Sequence, residues 1–235
     1  MKKILLFALL ILSFFGGLKA QGGSGRGLVD RSNESLNYFT ISLGPEYCYA
    51  DTKQSPFSQS LLKNWDLSFG YRKIYANNWG YKAGIGYADY SGADGPTSNR
   101  VFSFTSGVMQ ISLQAEYNIK IGRRYYYKPT PNAIYFFLGA GVLRSNANLK
   151  GDLSLRSFTY KPIDICAYVP LGFGYHYDFN NGILVGAEMN FKYPLADYID
   201  GFGPKLSQGS KYNDFMGGFS LTFSYLLESQ YLKRH

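Results

Sequence analysis

Charged side chains recur on one side of a series of alternating segments: Glu46, Asp66, Arg72, Lys82, Glu116, Glu188, Lys192 and Asp214. His176 lies on the same side, and the other histidine, His235, is the last residue. Both signs of charge are present, so ion pairs can form in one enclosed space where an isolated charge would be very unfavourable. A nucleophile–base–acid arrangement needs a base beside the nucleophile. The polar segments linking the alternating runs hold no histidine, so His176 reads as a hydrogen-bonded interior residue rather than a catalyst. One interior histidine with two scattered cysteines, Cys48 and Cys166, shows no metal-ligand spacing. No cofactor and no enzymatic activity are expected. A basic, aromatic stretch stands apart: Lys120, Arg123 and Arg124, then Tyr125 to Tyr127 and Lys128. Beside a bilayer it suits anionic lipid or a protein partner.

The elements that position these groups repeat with period two about eight times, and successive side chains of a strand face opposite sides. In the first run Phe39, Ile41, Leu43, Pro45, Tyr47 and Tyr49 alternate with Tyr38, Thr40, Ser42, Gly44, Glu46 and Cys48. The second sets Trp65, Leu67, Phe69 and Tyr71 against Asp66, Ser68, Gly70 and Arg72. A third, from Trp79 to Tyr87, carries Lys82, and a fourth, from Met109 to Ile119, carries Glu116. Its polar side, Gln110, Ser112, Gln114, Glu116 and Asn118, has no apolar member. The remaining runs begin near Ile134, Tyr168, Ile183 and Asp214. None has helical periodicity.

Long polar links follow the first, third, fifth and seventh runs: 51–64, 91–100, 144–165 and 194–212. Tight turns follow the second and sixth, at Ala76-Asn77-Asn78 and Asn180-Asn181-Gly182. Long and short links in alternation are the pattern of a membrane barrel, with loops at the outer rim and turns in the periplasm. The link from Lys120 to Asn132 departs from it by being long on the short side.

A soluble sandwich would turn its greasy faces inward and carry dense Lys and Glu outside. Here the polar faces are chiefly Gly, Ser, Thr, Tyr and Asn, which suit the narrow lumen of eight strands. Tyr and Trp concentrate near the ends of the apolar faces, as membrane–water girdles require. The expected fold is therefore all-β: an eight-stranded antiparallel up-and-down transmembrane barrel, apolar face outward and lumen small and polar. The lumen charges read as a salt-bridged plug or as the lining of a pore, for which eight strands leave little room. Cys48 and Cys166 would lie inside, near the outer rim, on strands three apart. A bridge needs Cα atoms within about 7 Å, so a disulfide and two buried thiols both stay open.

Lys2 and Lys3, the apolar run Ile4 to Phe15, and small residues up to Ala20 have the layout of a secretory signal cleaved after Ala20. The expected organisation is a signal at 1–20, a flexible periplasmic lead-in at 21–36, the barrel at 37–227 and a periplasmic tail at 228–235. Without Lys2, Lys3 and Lys19 the formal charge falls from +8 to +5. No dense basic stripe accompanies it, so a nucleic-acid partner is not expected and outer-membrane lipid is.

Tyr135-Phe136-Phe137-Leu138-Gly139-Ala140-Gly141-Val142 and Val169-Pro170-Leu171-Gly172-Phe173-Gly174-Tyr175 precede a Glu188-bearing strand. Asp197-Tyr198-Ile199-Asp200 and Lys211-Tyr212-Asn213-Asp214 follow. Over residues 133–226 this resembles a family of small Bacteroidota outer-membrane barrels that includes PorG of the type IX secretion system. The resemblance implies a non-enzymatic barrel that docks periplasmic secretion-ring proteins. The basic link Lys120 to Asn132 would then be a natural contact. The alternative is an envelope-structural barrel, or one whose loops bind an extracellular ligand.

Overall fold

The computed structural model describes residues 35–49, 64–75, 77–93, 103–121, 132–150, 163–179, 182–196 and 215–229. These form eight strands: β1 (Ser35–Tyr49), β2 (Trp65–Tyr75), β3 (Trp79–Ala93), β4 (Ser103–Ile121), β5 (Asn132–Lys150), β6 (Ile163–Asp178), β7 (Ile183–Pro194) and β8 (Phe215–Ser229). Each pairs antiparallel with the next, and β8 pairs with β1, so the barrel closes. Closure leaves no sheet edge, which is what lets strands cross a medium unable to hydrogen-bond the backbone.

The outward residues of β1 run from Phe39 to Tyr49, and Leu43 and Tyr49 are about half exposed. Ten residues at about 3.3 Å each, tilted about 40°, climb roughly 25 Å, the height of a barrel's apolar band. The connection between β2 and β3 is tight: Asn78 has φ 75° and Asn77 Oδ1 accepts the Trp79 amide at 3.2 Å. Between β6 and β7, Gly182 takes φ 83°, a left-handed conformation that disfavours side chains. These turns mark the periplasmic rim.

Four strands are longer than the greasy-outward alternation indicates, and the first of them, β3, runs on to Ala93. β4 begins at Ser103, not near Met109; β5 continues to Lys150 and β6 begins at Ile163. Both ends of the link expected at 144–165 are therefore strand. On β4 and β5 the reason is an inversion of the pattern, whereas β6 keeps Ile163 and Ile165 outward. On β4, Phe104 and Val108 are buried, while Thr105 is exposed. On β5, Leu143 and Ala147 are buried, while Arg144, Asn146 and Asn148 are exposed. Above the bilayer the wall meets water, and polar residues turn outward as on a soluble sheet. At the other rim Lys120 lies inside β4 and is half-buried, so it is not part of the link expected to begin there. Residues 123–128, with Arg123, Arg124, Tyr125, Tyr126 and Lys128, lie outside the described residues, as do the segment expected to be a signal and Asp214.

Candidate functional site

Seven of the charges expected in the lumen meet there, in two tiers. The tier nearer the periplasm joins β2, β3, β4 and β7. Arg72 Nε and Nη2 donate to Glu116 Oε1 at 3.1 and 3.0 Å, and Nη2 also reaches Glu188 Oε1 at 2.8 Å. Lys82 Nζ donates to both Glu188 oxygens at 2.9 Å. Arg72 and Glu116 are fully buried and Glu188 is 3% exposed. Two cations face two carboxylates, so this tier is neutral, as burial demands.

Tyr135 completes it. The Tyr135 hydroxyl donates to Glu188 Oε1 at 2.6 Å, and the Arg72 guanidinium carbon lies 4.7 Å from the centre of the ring. Two glycines opposite, on β6, set this position. Tyr135 pairs across the sheet with Gly174, and Phe137 with Gly172. A Cβ on Gly174 would fall 2.5 Å from Tyr135 Cζ, and one on Gly172 2.6 Å from Phe137 Cζ. Each ring lies over a bare glycine, the arrangement by which aromatic residues cover glycines across a sheet. The alternating glycines of β6 are thus what lets Tyr135 reach the ion pairs. Phe137 lies under Lys82, whose ammonium is 5.4 Å from its centroid. His176 is 5% exposed, its ring 5.3 Å from that of Tyr135, near the periplasmic end of β6.

The tier nearer the outside joins β1, β2, β3, β4 and β7. Lys192 Nζ donates to Asp66 Oδ2 at 2.7 Å and to Glu46 Oε2 at 2.9 Å. Neutral donors support the two carboxylates. Tyr90 Oη donates to Glu46 Oε2 at 2.7 Å, and Gln110 Nε2 to Asp66 Oδ1 at 3.0 Å. Lys192 reaches β1 and β2 across the lumen, contacts that no spacing along the chain foretells.

Between the tiers is a cavity of about 50 Å³ with a mixed polar and apolar lining. Ser42, Ser68, Ser112, Gln114, Asn190 and Ser220 line it, together with Asp66, Lys82, Glu188 and Lys192. That volume has room for about three or four waters beside these polar groups. Beyond each tier large apolar side chains cluster in the lumen, with small polar residues such as Ser106, Ser145 and Ser224 buried beside them. At the periplasmic end Leu36, Tyr38 and Leu184 cluster with Ile74 and Leu226. Towards the outside Ala88, Tyr90, Phe104, Val108, Leu143, Cys166, Tyr168 and Met216 form a second cluster, with Cys48 packed against it. Cys48 and Cys166 both keep their thiols and are not joined as a disulfide. The lumen is therefore not uniformly small and polar. Large inward residues stop both ends among the described residues, and Tyr90, Tyr135 and Gln110 join the charge network. Their place on the inward side of the alternation is the one signal that could have found them.

The outer wall is apolar and exposed: Ile85, Met109, Ile111, Leu113, Leu138 and Leu221 each show half or more of their surface. Aromatic rings gather at its edges. Trp79 and Tyr117 meet edge-on at 5.1 Å near the periplasmic rim, where Tyr81 also lies 6.2 and 6.3 Å from Tyr71 and Tyr75. Tyr49, Trp65, Tyr87 and Tyr193 stand exposed towards the other edge. An apolar band between two aromatic belts belongs in a bilayer, and a closed barrel of this kind belongs in the outer membrane.

No protein-family model matches the chain, and no curated protein matches it in sequence. Solved structures resemble it in form. The attachment invasion locus protein Ail of Yersinia pestis, in complex with the heparin analogue sucrose octasulfate, is 11% identical, with 83% of this chain and 99% of that one covered and a TM-score of 0.46. Neisserial surface protein A is 12% identical, covering 80% and 96%, with a TM-score of 0.46. The N-terminal β-barrel domain of Pseudomonas aeruginosa OprF is 14% identical, covering 82% and 99%, with a TM-score of 0.39. The strand register and the lipid-facing wall stand independently of that likeness: this chain is an eight-stranded outer-membrane β-barrel.

Proposed function

We propose that this protein is a non-enzymatic platform in the outer membrane, docking periplasmic components of the type IX secretion machinery at its inner rim. The observation that carries the platform reading is the stoppered lumen. Two ion-pair tiers in series, with a cluster of buried apolar side chains beyond each, fill the narrow lumen among the described residues. The work then falls to the rims and the wall. The secretion duty rests on the resemblance of residues 133–226 to the barrel family that includes PorG. Lys120, Arg123, Arg124, Tyr125, Tyr126 and Lys128 provide a basic, aromatic contact on the periplasmic side.

The test is deletion of the gene, with the culture medium assayed for proteins carrying type IX C-terminal sorting domains. Such proteins accumulate in the periplasm of the deletion strain, and the full-length chain restores their export. Unchanged export would end the secretion reading while leaving the barrel intact. A second reading, binding of an extracellular ligand, draws on the reach of β4 and β5 above the apolar band. It requires that removing residues 151–162 abolishes attachment to that ligand without affecting secretion.

A further inference from the structure

The upper boundary of the apolar band is sharp on three neighbouring strands. Tyr87, Met109 and Arg144 stand side by side on β3, β4 and β5, in one cross-strand row. Below this row on β5 the outward residues are Ile134, Phe136, Leu138, Ala140 and Val142, and above it Asn146, Asn148 and Lys150. Arg144 is thus the first polar group met on leaving the hydrocarbon, about 25 Å above Ile134 by strand rise and tilt. A cation deep in the lipid would be unfavourable by several kcal/mol, but at this depth the penalty nearly vanishes.

The surroundings of Arg144 are unusual in two respects. Its neighbours on the wall are very exposed apolar side chains: Ile165 at 65%, Met109 at 60% and Val142 at 52%. Ile165 is its cross-strand partner on β6. Arg144 itself is exposed and has no carboxylate partner among the described residues. The outward acid of the same region, Asp89, instead accepts the Tyr87 hydroxyl at 2.7 Å. The guanidinium therefore faces outward at the depth of the outer-leaflet headgroups, above a patch that acyl chains would cover. Asn146 and Asn148, exposed one and two steps higher, add amide donors and acceptors at the level of headgroup sugars.

We infer that the wall of β4, β5 and β6 around Arg144 is a binding site for a phosphorylated glycolipid of the outer leaflet. Arg144 takes the phosphate through paired N–H donors, a geometry for which a guanidinium is suited. Met109, Val142 and Ile165 take the acyl chains. The site is independent of the platform reading, because it lies at the opposite rim.

The test is native mass spectrometry of the full-length refolded barrel with diphosphoryl lipid A, with the same lipid lacking its phosphates, and with phosphatidylcholine. The wild type retains diphosphoryl lipid A in preference to the other two. Arg144→Gln reduces that retention about fivefold, the effect of one basic side chain at a charged membrane surface. Arg144→Lys keeps most of it, and Lys73→Gln, on the periplasmic side of the wall, changes nothing. Heat-dependent gel migration confirms that each variant is folded, and position 144 lies on the outer surface, where no core contact is lost. Equal retention of the three lipids by the wild type, or wild-type retention by Arg144→Gln, overturns the inference. So does a dimer that Arg144→Gln dissociates without altering lipid retention, which would assign the patch to a second copy of the chain.

Discussion

Replacing Glu188 by Gln keeps the shape of the side chain and removes its charge. In the wild type, Glu188 accepts from Arg72 at 2.8 Å, from Lys82 at 2.9 Å and from the Tyr135 hydroxyl at 2.6 Å. After the change Arg72 still holds Glu116, but Lys82 has lost its only ion-pair partner among the described residues. Breaking a buried pair from one side destabilises by about 3–5 kcal/mol, because an uncompensated charge stays behind. The Lys82 side chain is 11% exposed and borders the central cavity, so the lower end, about 3 kcal/mol, is expected. The assay is reversible urea unfolding of the barrel in lipid vesicles, followed by the fluorescence of Trp65 and Trp79. Adding Lys82→Met to Glu188→Gln should recover about 1–3 kcal/mol, the coupling expected of two groups in one network. A Glu188→Gln barrel within about 1 kcal/mol of the wild type would refute the view that this tier is shielded from bulk solvent.

Lys192→Met leaves Glu46 and Asp66 facing each other with no cation, and should destabilise by about 3–5 kcal/mol in the same urea titration. Gly174→Ala sets a methyl group 2.5 Å from Tyr135 Cζ and 2.8 Å from the Ala187 carbonyl oxygen and should destabilise by about 1–3 kcal/mol; adding Tyr135→Ala relieves only the ring overlap, and the two penalties then fail to sum. Gly182→Val forces a β-branched residue into φ 83° and should slow refolding into vesicles and reduce stability by about 1–2 kcal/mol.

The barrel was legible in the chain because a bilayer imposes one rule on every strand: apolar outward, small or polar inward. Trp65 to Arg72 and Met109 to Ile119 obey it, and the lumen charges could be placed on their side from period alone. Where the strands leave the bilayer the rule reverses. Phe104, Val108, Leu143 and Ala147 turn inward there while Thr105, Asn146 and Asn148 face water, so these segments read as links. The pairing inside the lumen was not legible either. Which cation meets which carboxylate depends on strands facing one another across the barrel. Lys192 on β7 meets Glu46 on β1 and Asp66 on β2 only once the ring has closed. Tyr135 looked like part of an aromatic run. Its role follows from Gly174 on the next strand, a pairing fixed by register rather than by neighbours in sequence.

Conductance of the full-length barrel in a planar lipid bilayer shows whether the lumen is stoppered. The wild type should hold the baseline current in molar potassium chloride. Glu188→Gln alone should do the same, because the Lys192 tier and both apolar clusters remain in series with the altered tier. Steady, discrete openings from the wild type would contradict the account and make the lumen, rather than the rims, the place where the protein works.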